Sequence, residues 1–306
     1  MKVLFLGTAS GAGKTTVTAM YCRYLARRGV RVAPFKASNL SLNSYATSEG
    51  GEIGIGQAFQ ALAAGIVPVT DMNPILLKPG GGGRMQVVLN GKPCSDVTEG
   101  RPMDIAKATS EACKAYDRLR ERFDAVVCEG SGSPAEINLR DRDIANIGMM
   151  RERNIPAVLV GDIERGGVFA ALYGTWKLVP EEQRGLLKGF MINRFRGDPT
   201  ILGSGIARIE EITGMKCLGV LHNKVSPAFK GNGFTKGAFY LLLNAKVVKD
   251  GNITRVKFYN LLLLRSNCIN VVAHLVVNAL VVNVYAVKRN VKHIPKDSRS
   301  TLELAN

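Results

Sequence analysis

The sequence predicts an α/β fold, a mostly parallel sheet flanked by helices, with a phosphate site at one end. Three observations carry this. Short apolar runs alternate with helical patterns through the first 221 residues, as βαβ units require. Several of these runs, at 125–128, 157–163 and 189–195, lack polar alternation, as expected of strands covered on both faces. The run Val3-Leu4-Phe5-Leu6 leads straight into Gly7-Thr-Ala-Ser-Gly-Ala-Gly-Lys-Thr-Thr16, a Gly-rich phosphate-binding loop.

Taken in order, residues 3–6 read as a strand and 14–28 as a helix closed by Gly29, a residue suited to a left-handed cap. Residues 30–35 are a second strand. A helix over 52–64 stops at Gly65, with Glu49 and Glu52 opening it, where the helix dipole favours acids. Residues 103–123 set Ile105, Ala108, Ala112, Tyr116 and Leu119 on one helix face. Strands at 125–128, 157–163, 189–195 and 217–221 and helices at 168–178 and 202–213 complete the pattern. Ligands of such a sheet bind beyond the carboxyl ends of the strands. Thr15, Lys36, Glu129, Asp162 and Asn193 fall there.

The loop makes the fold P-loop NTPase-type. Its glycines, Gly11 and Gly13 among them, let backbone N–H groups close on phosphate oxygens. The next helix points its positive end at the same anion. Lys14 supplies charge for the outer phosphates, the Thr15 hydroxyl suits Mg²⁺, and Thr16 joins them in the first turn. Five residues, not the commoner four, separate Gly7 from Gly13-Lys14-Thr15. Glu129 ends a buried strand before Gly-Ser-Gly, the place for a second metal ligand. Lys36, ending the second strand, faces the same crevice. Arg140, Arg142, Arg165 and Arg196, on three loops, suit an anionic substrate besides ATP.

Residues 1–221 hold 28 basic and 22 acidic residues, whereas 222–306 hold 13 and 3. The high pI is thus mostly a property of the tail, and no nucleic-acid motif or aromatic-basic platform accompanies it. No nucleic-acid partner is expected. Six cysteines, far apart and without a C-x-x-C pair, argue against a structural zinc or iron–sulfur site and fit a reducing cytoplasm. The three histidines are scattered and receive no role. Within 258–287, the mostly apolar stretch Ile269–Val287 is long enough to cross a membrane, but its three Asn and one His would be costly in lipid. A β-rich or disordered extension and an out-of-frame or truncated gene end are the other readings.

At this point the residues resemble a known family. Residues 7–16, Ala33-Pro-Phe-Lys36 with Asn39 and Leu42-Asn43-Ser44, Gly50-Gly-Glu-Ile-Gly54 with Gln57 and Gln60-Ala61, Asp71-Met-Asn-Pro-Ile-Leu-Leu-Lys-Pro79, 129–146, 162–174 and 192–198 look like the synthetase domain of cobyric acid synthases. These are glutamine-dependent amidases of cobalamin synthesis. The stretches cover most of residues 1–221, and the wider dethiobiotin synthetase-like superfamily shares the five-residue loop spacing. The resemblance implies that ATP, with Mg²⁺, phosphorylates a carboxylate of an adenosylcobyrinic acid a,c-diamide-like corrinoid, and that ammonia then displaces phosphate.

Carried over by position, Lys14 and Lys36 are catalytic, and Gly11, Gly13, Lys14, Thr15, Thr16 and Asn193 hold the nucleotide, Asn193 at adenine. Thr15, Glu129 and Glu52 are metal ligands, and Arg140, Arg142, Arg165 and Arg196 meet the substrate's carboxylates. Family members continue into a glutamine amidotransferase domain with a Cys nucleophile. No cysteine here has that context, and residues 222–306 match nothing in the family. The expected layout is a synthetase domain over 1–221, an unassigned basic and apolar tail over 222–306, and no amidotransferase domain. Nitrogen then comes from ammonia or a separate glutaminase; a homodimer is left open. The alternatives are a,c-diamide or dethiobiotin synthesis, a ParA/MinD-like regulatory ATPase, whose extra early loop Lys is missing from Thr8-Ala9-Ser10, and an inactive truncated product.

Overall fold

The computed structural model describes residues 1–97, 102–223 and four short strands between 239 and 264. The chain divides into two units, Met1–Ser226 and Pro227–Asn306.

In the first unit, β1 (Lys2–Gly7) feeds the phosphate loop and α1 (Lys14–Ala26), and β2 (Val32–Phe35) follows. A smaller, mostly β region comes next. It holds β3 (Ser38–Leu40), β4 (Ser44–Ala46), β5 (Glu52–Gly54), α2 (Ile55–Ala64), β6 (Ile75–Pro79), β7 (Met85–Leu89) and β8 (Lys92–Val97). Then α3 (Ile105–Arg122) leads to β9 (Ala125–Glu129), a 3₁₀ turn at Ile137–Arg142, a π turn at Ile144–Gly148 and α4 (Met149–Arg153). The unit finishes with β10 (Ala157–Asp162), α5 (Val168–Leu178), α6 (Glu181–Arg184), β11 (Leu187–Phe195), α7 (Gly203–Thr213) and β12 (Lys216–His222).

The main sheet has the order β12-β11-β10-β1-β9-β2, and every pairing in it is parallel. From β1 the chain goes to the edge strand β2, returns to β9 between the two, and then crosses to the other side of β1 through β10, β11 and β12. That makes β1 the point where the order reverses, and the loop after it lies at the ligand crevice.

Period-two alternation decides what faces that crevice. Phe5, Val32, Ala125, Val127, Val158 and Val160 share one face with Val17, Cys22 and Leu25 of α1. Leu4, Leu6, Ala33, Phe35, Val126, Cys128 and Leu159 form the opposite core, against α3, α4, α5 and α7. Counting on by twos from the α1-covered set reaches Glu129 in β9 and Asp162 in β10, and one step past β2 it reaches Lys36. Strand parity therefore directs these polar ends to the side where α1 begins.

Three expectations need correction. The first helix ends at Ala26, and residues 27–29 form a turn with Gly29 at φ 79°. The helix expected from residue 52 begins at Ile55; Glu52–Gly54 is β5, antiparallel to β4. Buried Ile53 and the bond from Gly54 N–H to Asn73 Oδ1, 2.9 Å, hold this stretch extended. The sheet β3-β6-β7-β8 is not expected from the sequence, because its strands are short and two of them, β3 and β8, are largely polar.

In the second unit, β13 (Phe239–Leu242) pairs with β16 (Leu261–Leu264), and β14 (Ala245–Asp250) with β15 (Ile253–Phe258), both antiparallel. Of the apolar stretch 258–287, residues beyond 264 lie outside the described ones. Among the described residues, no helix is long and apolar enough to cross a membrane.

Candidate active site

The phosphate loop is built by backbone freedom and close contact. Gly13, the residue before α1, sits at φ 97°, a conformation that a side chain would strain. A Cβ there would also meet the Asn193 amide at 2.1 Å. Asn193, near the end of β11, donates from Nδ2 to Ala12 O at 2.9 Å. The side chain expected at the nucleotide thus braces the loop from β11, two strands away in the sheet.

Lys14 is buried, and its Nζ donates to Ala9 O at 3.1 Å and Gly132 O at 2.6 Å. The ammonium lies between the phosphate loop and the Gly130-Ser131-Gly132 turn after β9. That turn is pinned by Asn146, whose Nδ2 donates to Ser131 O at 2.7 Å and whose Oδ1 accepts from Ser131 N–H at 3.0 Å. Asp143 caps the π turn that carries Asn146, accepting from the N–H groups of Asn146 and Ile147.

Glu129 is the centre of the site. It is 2 % exposed, and its two oxygens take two donors each. Oε1 accepts from Thr15 Oγ1 at 2.8 Å and Lys36 Nζ at 3.0 Å. Oε2 accepts from Gln57 Nε2 at 3.3 Å and Gln60 Nε2 at 2.5 Å. Burial pushes the carboxyl up, but Lys36's charge and the bonds from Lys36, Thr15 and Gln60 outweigh it and hold it below its ordinary range. Glu129 is therefore an anion at neutral pH. Thr15 and Glu129 present hard oxygens in contact, the donor type that Mg²⁺ takes.

Burial also lowers the Lys14 ammonium to a pKa of about 8, aided by Lys36 and opposed by Glu129 and Glu136. A polyphosphate binds the protonated form. Nucleotide affinity is expected to fall above pH 8, by up to about tenfold per pH unit, as the free chain releases that proton. The unfolded chain holds more protons in this window, so stability should instead rise between pH 8 and 10.5. Calorimetric titration with ADP from pH 7 to 9.5 checks the first effect, and Lys14→Met should flatten it. A flat wild-type profile would contradict it.

The structure thus brings together Lys14, Thr15, Lys36, Glu129 and Asn193, with Gly11 and Thr16 in the loop that carries them. Asp162 and the arginines are placed differently. Asp162 Oδ2 accepts from Arg194 at 2.6 Å, and Arg194 itself is left-handed at φ 62°. Arg196 pairs with Glu164. Ile163, Glu164, Arg194, Phe195 and Arg196 line a cleft beyond β10 and β11. Arg165 and Arg142 are exposed on their loops.

Two residues stand apart. Glu52 is taken up by Lys78 at 2.5 Å, and although burial raises its carboxyl, bonds from Lys78 and Ser44 bring it below the usual range. Arg140 donates to Leu178 O at 2.6 Å, at the last residue of α5. Since α5 starts beside the crevice after β10, its last turn lies away from it. Gln57, Gln60 and Asn146 carry no role in the sequence reading. The signal available there was a pair of amides three residues apart inside the otherwise apolar run of α2.

Comparison with known proteins shows the family of the chain. The family model described as CbiA, the CobQ/CobB/MinD/ParA nucleotide binding domain, matches residues 3–230. A probable cobyric acid synthase of Methanoculleus marisnigri is 55% identical over 225 residues, covering 72% of this chain and 45% of that protein. The cobyric acid synthase of Frankia casuarinae is 52% identical over 220 residues, covering 72% and 42%. The chain spans about half the length of the curated relatives it matches. Among solved structures, the signal recognition particle 54 kDa protein of Aeropyrum pernix, 17% identical and covering 72% of this chain and 41% of that one, aligns with a TM-score of 0.42. That is too low to carry weight. The resemblance to the synthetase part of cobyric acid synthases stands on these matches, and the chain belongs to the CobQ/CobB/MinD/ParA nucleotide-binding domain family.

Proposed function

We propose that this chain is an ATP-dependent synthetase unit that activates a corrinoid side-chain carboxylate for amidation, as a step of cobalamin synthesis. The observation that carries this is Glu129, buried beneath the phosphate loop with Lys36 and Thr15 on one oxygen. A switch ATPase needs a metal site too. A second cation at Lys36, however, would serve charge that moves during phosphoryl transfer, and the relatives named above are cobyric acid synthases or probable ones.

Thr15 and Glu129 would hold Mg²⁺, which when bound neutralises phosphate charge. Among the described residues no group of three or more His, Cys, Asp or Glu is placed to hold a metal ion. A divalent ion here would thus rest on one or two protein oxygens and the phosphates, as Mg²⁺ commonly does. Lys14 would exchange its bonds to Ala9 O and Gly132 O for phosphate oxygens. A substrate carboxylate oxygen attacks the terminal phosphorus, the bond to ADP breaks, and an acyl phosphate forms. Ammonia attacks its carbonyl carbon, phosphate leaves with that carboxylate oxygen, and an amide remains. Asn193 and the cleft beside it would take the adenine. Arg142 and Arg165 would attract the corrinoid's carboxylates, while Arg196, Arg140 and Glu52 would first have to leave Glu164, Leu178 O and Lys78. Work on ATP fits a cytoplasmic protein.

The test uses the purified chain with ATP, Mg²⁺, ammonium and a corrinoid a,c-diamide. ADP release matched by amide formation is expected. ATP turnover indifferent to corrinoid but raised by DNA or lipid vesicles would replace this reading with the regulatory one.

A further inference from the structure

The two amides of α2 have a task that helix packing does not explain. Gln57 and Gln60 are 1 % and 0 % exposed and lie three residues apart, on one helix face. Both point their nitrogens at the same carboxylate oxygen, Glu129 Oε2. The second Gln60 proton reaches Thr15 O at 3.3 Å, so one amide spans β9 and the first turn of α1. Gln57 is itself steered: its Oε1 accepts from Asn39 Nδ2 at 3.1 Å.

The orientation of Gln60 is fixed by charge. Reversing the amide would set its carbonyl oxygen 2.5 Å from the Glu129 anion. Holding Nε2 there leaves Gln60 Oε1 buried with no hydrogen-bond partner among the described residues. An unbonded buried carbonyl is unfavourable. A position serving only to pack α2 would be better filled by Leu or Met.

We propose that Gln57 and Gln60 are positioning residues that hold Glu129 Oε2, keep Oε1 turned to Thr15 and Lys36, and so set the affinity of the site for a divalent cation. This rests on the reading that Thr15 and Glu129 are the metal ligands. Each added donor makes the carboxylate less free to rotate, and partners behind a ligand commonly change metal affinity by about 10–100-fold.

The experiment is Mn²⁺ binding to the full chain with a non-hydrolysable ATP analogue present, read from the free-ion EPR signal. Gln60→Met keeps the volume and removes both donors; its Mn²⁺ dissociation constant should rise by about tenfold or more. Gln57→Met, which loses the longer bond, should raise it by a smaller factor. Metal-free binding of the analogue should stay unchanged in both. A Gln60→Met constant within twofold of wild type overturns the proposal. If that variant fails to fold, Gln57→Met decides by the same measure, an unchanged constant overturning it. Glu129→Gln separates the two readings. If it shifts the constant and the glutamine variants do not, only the positioning role falls. If Glu129→Gln leaves Mn²⁺ binding untouched, the ligand assignment beneath it falls.

Discussion

Lys14→Ala is expected to lower corrinoid-dependent ADP release by about 10²–10³-fold or more, the usual loss when a preorganised charge-stabilising donor is removed. The Nζ is held on two backbone carbonyls, Ala9 O and Gly132 O, already at the place where phosphate oxygens belong. Alanine leaves those carbonyls facing an incoming polyanion with no cation between them. Lys14→Arg should not rescue. A Cβ built on Gly7 would lie 2.7 Å from Nζ, so the cup has no room for a guanidinium. Steady-state turnover with ammonium as donor checks this, and a loss under about tenfold would contradict the role of Lys14.

The second large effect concerns folding. Glu129→Ala should destabilise the chain by about 3–5 kcal/mol, because it strands a buried cation. Lys36 is 8 % exposed and its side-chain partner is Glu129 Oε1; the amides of Gln57 and Gln60 lose their acceptor as well. Pairing the change with Lys36→Met should recover much of the stability and none of the turnover. Urea unfolding of the single and double variants tests it. A single variant as stable as wild type would mean that the pair is not the buried anchor described here.

Much of the main sheet was legible in the sequence, since buried parallel strands read as uninterrupted apolar runs. Strand parity also carried Glu129 and Lys36 to the side where α1 begins, so the phosphate end of the crevice could be placed from residue order alone. The small sheet β3-β6-β7-β8 was not legible. Its β3–β6 pairing joins distant parts of the chain, and runs such as Lys92–Val97 carry no clear period. Glu52 was set on a helix because Gly54 and Ile55 continue smoothly into one. Contacts from elsewhere in the chain keep that stretch extended: the pairing with β4, the burial of Ile53 and the bond from Gly54 N–H to the distant Asn73. Arg140 illustrates the same limit: four arginines in three loops suggest one ring, but the bond to Leu178 O draws this one elsewhere. The glutamines of α2 escaped because an amide in an apolar run is ambiguous until its acceptor is seen.

The most direct measurement follows one oxygen atom. A corrinoid a,c-diamide labelled with ¹⁸O in its free carboxylates is incubated with the chain, ATP, Mg²⁺ and ammonium, and the released phosphate is weighed by mass spectrometry. Transfer of the terminal phosphoryl group to the carboxylate requires one labelled oxygen in phosphate for each amide made. Phosphate released without label, the corrinoid carboxylates keeping theirs, would mean that the site hydrolyses ATP without passing its phosphoryl group to an acid.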